Sequence, residues 1–175
     1  MSTVIPMGMA IPPFYFSSAP AYVNFAKLGR TIGHEIAHGF DSTGIKYDAD
    51  GNLKDWLSPG DQEKFEEKAK CFVEQYNQYE VFPGKRINGS FTLDENIADN
   101  LGLELAYRAY KHAERDGQVE QSKKLLGLEK LSPEQLFFLS YATVRNARFT
   151  SLSSHKVSSF SCYYNHGFCN FSESF

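Results

Sequence analysis

The sequence predicts a mainly α-helical fold with a small β edge, and three observations support this fold class. Helix-start signals, each followed by helical spacing of apolar residues, recur at Ser58, Thr92 and Ser132. A further helical pattern covers residues 24–40. In residues 4–16, prolines restrict an apolar segment to an edge strand or an extended loop.

The composition is that of a globular protein and argues against several functional classes. The 175 residues are 42% hydrophobic and 22% charged, which suits one domain or part of a larger one. A net charge of −3 gives no reason to expect nucleic acid or an anionic membrane as a partner. The sequence contains neither an apolar run long enough to span a bilayer nor a secretion signal. By its own sequence, the chain is therefore expected to stay in the cytosol.

The elements in the first half of the chain follow from local signals. After the helix at 24–40, residues 47–52 form a turn-rich loop, and the spacing of its acidic residues does not match a calcium-binding EF-hand. The next helix has Ser58 as its N-cap and Pro59 at its first helical position. It is expected to end at about residue 78 and to be amphipathic.

The second half contains two further helices and a tail. A helix begins at Thr92 and carries apolar residues at four-residue spacing. Another begins at Ser132, where a capping box with proline at the first helical position precedes the apolar run 136–144. Residues 145–175 are serine-rich and lack periodicity, so we expect a poorly ordered tail. The predicted division is therefore a folded segment, 1–144, and a divergent tail, 145–175.

Residues 33–41, Gly-His-Glu-Ile-Ala-His-Gly-Phe-Asp, contain the zinc-hydrolase pattern H-E-x-x-H. On a helix, His34 and His38 lie one turn apart on the same face, so both imidazoles can bind one metal ion. Glu35 is rotated by about 100° from His34, close enough to act on a bound water without binding the metal itself. The alternative interpretation is a helix with two surface histidines and a salt-bridging glutamate.

A catalytic zinc ion usually has a third protein ligand, and spacing alone does not settle which residue provides it. Gly44 and Leu57 occupy the positions from which other H-E-x-x-H classes supply that ligand, and neither can bind a metal. Glu95 and Asp99 share one helical face, so Glu95 could bind zinc while Asp99 accepts a hydrogen bond from a ligand histidine. However, residues 92–95 also form a capping box, in which Glu95 would fold back onto its own helix.

Several separated blocks together identify a family. The blocks are residues 11–14, 33–41, 50–53 with Trp56, 93–100, 106–110 and 135–139. In this order they resemble the neprilysin and endothelin-converting-enzyme family of zinc metallopeptidases, of the gluzincin type. The resemblance runs from about residue 4 to 144 and would cover a minor part of a full-length family member. It implies an incomplete thermolysin-like zincin catalytic subdomain.

The resemblance also implies residue roles. It makes His34, His38 and Glu95 the ligands of one zinc ion per chain. It makes Glu35 the general base, and it counts Asp99 with the catalytic residues as the hydrogen-bond partner of His34. Asp41 would be the corresponding partner of His38. Cys71 resembles a family cysteine that forms a disulfide with a C-terminal cysteine, and whether Cys162 or Cys169 takes that place stays open.

The implied function is a zinc-dependent metalloendopeptidase that hydrolyses small peptides, with a preference for hydrophobic residues on the amine side of the cut. Family proteins act at the cell surface or outside the cell. The family's transition-state histidine and arginine are not recognisable here, since His155 and His166 lack the expected neighbours. The alternative is therefore a zinc-binding chain with impaired catalysis that acts only as a binding module. A third possibility is that the apolar run 136–144 stays bare and the chain does not fold.

Overall fold

The computed structural model describes residues 3–119 and 124–146 and confirms the mainly helical fold class. These residues form two compact units. One contains Thr3 and His34–Leu101, and the other contains Val4–Gly33 and the described residues 102–119 and 124–146. Within the described part, no helix is both long and apolar enough to cross a membrane.

The structure contains five α-helices and one short hairpin within the described ranges. The helices are α1 (Ala21–Asn24), α2 (Arg30–Ala37), α3 (Pro59–Asn77), α4 (Leu93–Arg115) and α5 (Pro133–Asn146). A π-helical turn, Phe25–Gly29, joins α1 to α2, and 3-10 turns cover Met7–Met9, His38–Phe40 and Gly44–Lys46. Strands β1 (Glu80–Phe82) and β2 (Lys85–Arg86) pair antiparallel.

The predicted helix starts at Ser58 and Ser132 are confirmed with their caps. Ser58 Oγ accepts a hydrogen bond from the Asp61 N–H at 3.2 Å, and Pro59 is the first residue of α3. The Ser132 capping box is reciprocal. Ser132 Oγ accepts from the Gln135 N–H at 3.2 Å, and Gln135 Oε1 accepts from the Ser132 N–H at 2.9 Å. Both caps satisfy N–H groups that a helix leaves unpaired at its start.

Of the two alternatives for residues 4–16, an edge strand or an extended loop, the structure excludes the strand. Residues 4–16 form turns and a 3-10 helix rather than a strand, because the N–H groups of Met9 and Ala10 donate to the nearby carbonyls of Pro6 and Met7. The extended-loop alternative is therefore the better description of this segment. The β structure instead lies in β1 and β2, whose residues are exposed. The first helical segment also begins earlier than predicted, at Ala21.

Two other predictions fall partly outside the described residues. Of the predicted tail, residues 147–175 lie outside them, while α5 continues through Asn146. Cys71 is disulfide-bonded, and both Cys162 and Cys169 lie outside the described residues.

The unit formed by His34–Leu101 has a core that fixes the start of α4. Phe65 and Phe72 from α3 are buried together with Ile97 from α4 and Ile45 from the loop after the H-E-x-x-H motif. The side chain of Asn100 adds a hydrogen bond from Nδ2 to the Tyr76 hydroxyl at 3.0 Å. Because Ile97 is fully buried, the helical turn that carries residues 94–99 is held in place by α3 and the Ile45 loop.

The second unit has a separate, largely aromatic core. Tyr110 of α4 and Phe137 of α5 are both buried, with ring centroids 5.9 Å apart. Tyr22 and Val23 of α1 are buried in the same cluster, as are Leu103 and Leu136. The first two residues of the apolar run 136–144, Leu136 and Phe137, are thus buried rather than bare.

Candidate metal centre

The helical spacing of the H-E-x-x-H motif brings the two histidine rings together. His34 lies on α2, and His38 opens the 3-10 turn that continues it. Their Nε2 atoms lie 3.1 Å apart, and the rings meet edge-on with centroids 4.6 Å apart. Residues four positions apart on a helix are neighbours on one face, so the sequence itself sets this geometry.

Glu95 of α4 completes a group of three possible ligands. Its carboxylate oxygens lie 3.5 Å from His34 Nε2 and 3.7 Å from His38 Nε2. One donor atom from each of the three residues lies within 4.8 Å of the other two. Glu95 therefore faces the histidines, although residues 92–95 also match a capping box. Its side chain is 69% exposed, so the group opens toward solvent at this carboxylate.

A carboxylate stands behind each histidine. His38 Nδ1 lies 2.7 Å from Asp41 Oδ2, and His34 Nδ1 lies 2.9 Å from Asp99 Oδ1. An ionised carboxylate only accepts hydrogen bonds, so the neutral ring facing it carries its proton on Nδ1. In that tautomer, each Nε2 presents a lone pair to the other ring and to Glu95.

This donor set fits a zinc ion. Two lone pairs and a carboxylate face one another, and they repel unless a cation lies between them. Zinc bound tetrahedrally with bonds of about 2.0–2.1 Å would separate its ligand atoms by roughly 3.3 Å. The observed separations of 3.1, 3.5 and 3.7 Å lie close to that value.

The loop after the second histidine holds Asp41 in place. Asp41 is buried, and its Oδ1 accepts hydrogen bonds from the Thr43 N–H at 2.9 Å and the Gly44 N–H at 2.6 Å. Gly44 is required by a close approach, since a Cβ there would overlap the carbonyl oxygen of His38. The Asp41 carboxylate is thus oriented toward His38 by the backbone of its own loop.

Sequence reasoning missed a further carboxylate, that of Asp94, which joins this loop to α4. Its Oδ1 accepts from the Ser42 N–H at 3.1 Å and from the Ser42 hydroxyl, and its Oδ2 accepts from the Thr43 hydroxyl at 2.7 Å. Burial raises the pKa of Asp94, but the hydrogen bonds from Ser42 and Thr43 outweigh burial and hold that pKa below its usual range. No local pattern marks these partners, because they lie 51 and 52 residues away in sequence.

Glu35, the predicted general base, follows His34 on α2 and is half-buried. Within the described residues, no hydrogen bond or ion pair engages its carboxylate. The carboxylates of Asp41 and Asp99 contact the histidines, whereas that of Glu35 is left to interact with a ligand or water.

Sequence comparison places these residues in a family. Residues 1–163 match the sequence pattern of Peptidase family M13. The chain is 45% identical over 153 residues to endothelin-converting enzyme 1 of Bos taurus, a match that covers 87% of this chain and 20% of that protein. It is 44% identical over 139 residues to neprilysin-11 of Caenorhabditis elegans, covering 78% of this chain and 16% of that protein.

Solved structures agree with the sequence comparison. The zinc metalloprotease Zmp1 of Mycobacterium tuberculosis, in complex with an inhibitor, matches with a TM-score of 0.69 at 35% identity, over 79% of this chain and 21% of that chain. The Haemonchus galactose-containing glycoprotein complex matches with a TM-score of 0.70 at 39% identity, over 79% and 22%. The chain thus spans about a fifth of the relatives it matches. The predicted family resemblance is confirmed: this chain belongs to Peptidase family M13, the family of neprilysin and endothelin-converting enzyme.

Proposed function

We propose that this chain supplies the metal-binding and proton-transfer groups of a zinc metalloendopeptidase active site. The observation that carries the proposal is the convergence of His34, His38 and Glu95, with a carboxylate behind each histidine. Membership of a peptidase family supports peptides as the substrate class. Small peptides with a hydrophobic residue on the amine side of the cut, and action at the cell surface or outside the cell, belong to the same proposal.

In this proposal His34, His38 and Glu95 hold one zinc ion. When bound, zinc supplies Lewis acidity, which lowers the pKa of a water and polarises a peptide carbonyl. Asp41 and Asp99 keep the ring proton of each histidine on Nδ1, so that both Nε2 atoms stay available.

Glu35 is the proposed general base. It neighbours His34 in sequence, and within the described part of the chain its carboxylate makes no hydrogen bond or ion pair. A carboxylate in this state can take a proton from the attacking water and deliver it to the leaving amine. General acid–base catalysis of this kind typically contributes about 10²–10⁴ in rate.

One observation favours a second candidate function, a zinc-binding chain with little catalysis. The Glu95 side chain is 69% exposed, so water reaches the donor group directly. Electrostatic stabilisation of a transition state is strongest where water is excluded. The 175 residues alone would then bind zinc and hydrolyse peptides slowly.

The test is hydrolysis of a quenched fluorescent peptide by the purified chain, with the zinc content measured on the same sample. We expect hydrolysis to disappear with a chelator, and Glu35→Gln to bind one zinc ion but to be at least 10²-fold slower. If the unmodified chain binds zinc and does not hydrolyse the peptide, the second function holds. If Glu35→Gln is as active as the unmodified chain, the proposed role of Glu35 is wrong.

A further inference from the structure

A hydrogen-bonded bridge joins the two segments that carry the candidate metal ligands. It consists of Ser42, Thr43 and Asp94, and we call it the Asp94 bridge. Ser42 and Thr43 belong to the loop after the H-E-x-x-H motif, while Asp94 lies in the first turn of α4. The bridge is the main side-chain contact at this site that the proposed chemistry does not use.

The bridge employs both oxygens of one carboxylate. Asp94 Oδ1 accepts from the Ser42 N–H at 3.1 Å and from the Ser42 hydroxyl. Asp94 Oδ2 accepts from the Thr43 hydroxyl at 2.7 Å. Three donors on two adjacent residues fix the carboxylate in position and in rotation, as a single hydrogen bond cannot.

Each end of the bridge is next to a group at the candidate metal site. Asp94 immediately precedes Glu95. At the other end, Ser42 follows Asp41, which contacts His38 Nδ1 at 2.7 Å, and the Thr43 N–H donates to Asp41 Oδ1 at 2.9 Å. A continuous series of bonds therefore runs from His38 through Asp41 and the bridge to the residue before Glu95.

Of the three candidate ligands, Glu95 is the one whose side chain is most exposed and least restrained by its neighbours. With 69% of its side chain exposed, surrounding side chains do little to restrict it, so its position depends on the first turn of α4. The His38 ring, by contrast, is restrained by Asp41. Metal affinity depends on holding all ligands in one arrangement before the metal arrives, because ordering them on binding costs free energy.

We propose that Asp94 is a positioning residue, which sets the separation between Glu95 and the His38–Asp41 pair and so raises the zinc affinity of the site. The inference rests on the proposed function, since it takes His34, His38 and Glu95 as the zinc ligands. Asp94 itself contacts neither zinc nor substrate. Its role is carried by the loop hydroxyls of Ser42 and Thr43.

The experiment measures zinc affinity by competition with a chromophoric chelator for the full chain and three variants. These are Asp94→Ala, the double variant Ser42→Ala/Thr43→Val, and the combination of all three changes. The double variant leaves the Asp94 charge in the first turn of α4, so it separates the bridge from the interaction of that charge with the helix dipole. Asp61→Ala is the matched control. Like Asp94, Asp61 lies in the first turn of a helix, here α3, and its carboxylate accepts a hydrogen bond from a serine hydroxyl, that of Ser58, at 2.6 Å.

We expect Asp94→Ala and the double variant each to weaken zinc binding about 10-fold or more. The combined variant should lose no more zinc affinity than the more severely affected of these two variants, because both changes break the same bridge. Asp61→Ala should leave the zinc affinity unchanged even if it lowers the melting temperature.

Unchanged zinc affinity in the double variant, in a chain that still melts cooperatively, would overturn the positioning role of Asp94 and leave the proposed function intact. Losses that add in the combined variant would also overturn it, since the residues would then act independently. If the unmodified chain binds no zinc, or binds it equally well after His38→Ala, the proposed function fails and this inference fails with it.

Discussion

At the scale of single residues, two histidine–carboxylate pairs determine whether the candidate site can bind a metal. Imidazole binds a metal through a nitrogen that carries no proton, so the proton must stay on the other nitrogen. Asp41 and Asp99 lie 2.7 and 2.9 Å from the Nδ1 atoms of His38 and His34. Their position directs both Nε2 atoms toward Glu95.

Asp41→Asn tests this role of the carboxylate. The oxygen of the new amide would keep accepting from the Thr43 and Gly44 N–H groups, which places its NH₂ group toward His38 Nδ1. Nδ1 must then accept, which moves the ring proton to Nε2 and blocks the metal-binding nitrogen. We expect zinc affinity to fall by about 10–100-fold in a competition assay.

Asp48→Asn is the matched control for that change. Asp48 also accepts hydrogen bonds from backbone N–H groups of its own turn, those of Asp50 and Asn52, but within the described residues no histidine bonds to it. Its substitution should leave zinc affinity unchanged. Equal effects of the two substitutions would show that the tautomer of His38 does not depend on Asp41.

Individual residues also differ in how far the sequence alone could place them. The approach of His34 to His38 follows from helix geometry, because both lie within one turn of the same helix. Glu95 was left between two roles, since its local sequence matches a capping box equally well. Asp94 was missed because its partners are 51 and 52 residues away and carry no recognisable spacing.

At the scale of elements, the loop between the 3-10 turns His38–Phe40 and Gly44–Lys46 connects α2, which carries the candidate ligand His34, to the core. Gly44 packs its Cα against the His38 carbonyl, while the next residue, Ile45, is buried with Phe65 and Phe72. A side chain at position 44 would push the loop away from His38. Position 44 therefore requires glycine, because no side chain fits there.

Gly44→Ala should accordingly destabilise the protein. Overlap of the new Cβ with a backbone carbonyl forces the loop to move, at a cost of about 1–3 kcal/mol. The free energy of unfolding in urea measures this cost. The control is Gly60→Ala in the first turn of α3, where a Cβ has open space and should stabilise by up to about 1 kcal/mol. Equal stability of the two variants would contradict the packing argument.

A second element-scale contact joins α4 to α5 and predicts a pH dependence. Lys111 Nζ lies 2.9 Å from Glu134 Oε1 and also contacts Glu114. The hydrogen bond from Lys111 lowers the pKa of Glu134. A lowered carboxyl pKa stabilises the fold above the unfolded-state pKa, and that stabilisation is lost as the pH falls through the folded-state pKa.

Lys111→Met should therefore cost up to about 1 kcal/mol at pH 7, a modest value because the pair is partly exposed. The difference from the unmodified chain should shrink as the pH falls through the lowered pKa of Glu134, because the protonated carboxyl no longer pairs with Lys111. Urea unfolding at several pH values measures both effects. Lys70→Met, which removes an exposed pair with Glu74 at 3.9 Å, should cost less at pH 7. A difference that grows on acidification would contradict this assignment.

Predictions of whole elements succeeded where the signal was local. Ser58 and Ser132 were identified as helix caps because a cap involves only the residues that follow it. The hairpin at β1 and β2 was missed because strands of three and two exposed residues show no alternation of apolar and polar positions. For residues 4–16, proline correctly excluded a central strand, but nothing local distinguished an edge strand from turns.

At the scale of the whole molecule, each unit has its own core, and the two cores contain different parts of α4. The core around Phe72 and Ile97 supports the residues of the candidate metal site. The core around Tyr110 and Phe137 supports the second half of α4 and the start of α5. The fold class and the family were both predictable from sequence, because motif blocks and helix patterns can be recognised without knowing the long-range contacts.

The central claim is that one zinc ion binds to His34, His38 and Glu95, and the most direct test is the stoichiometry of zinc binding by calorimetric titration. We expect one zinc ion per chain, with binding abolished or strongly weakened in His38→Ala and in Glu95→Gln, while both variants still melt cooperatively. An Asp48→Asn chain should bind zinc as the unmodified chain does. Full binding that persists in His38→Ala would show that the metal lies elsewhere and would contradict the account.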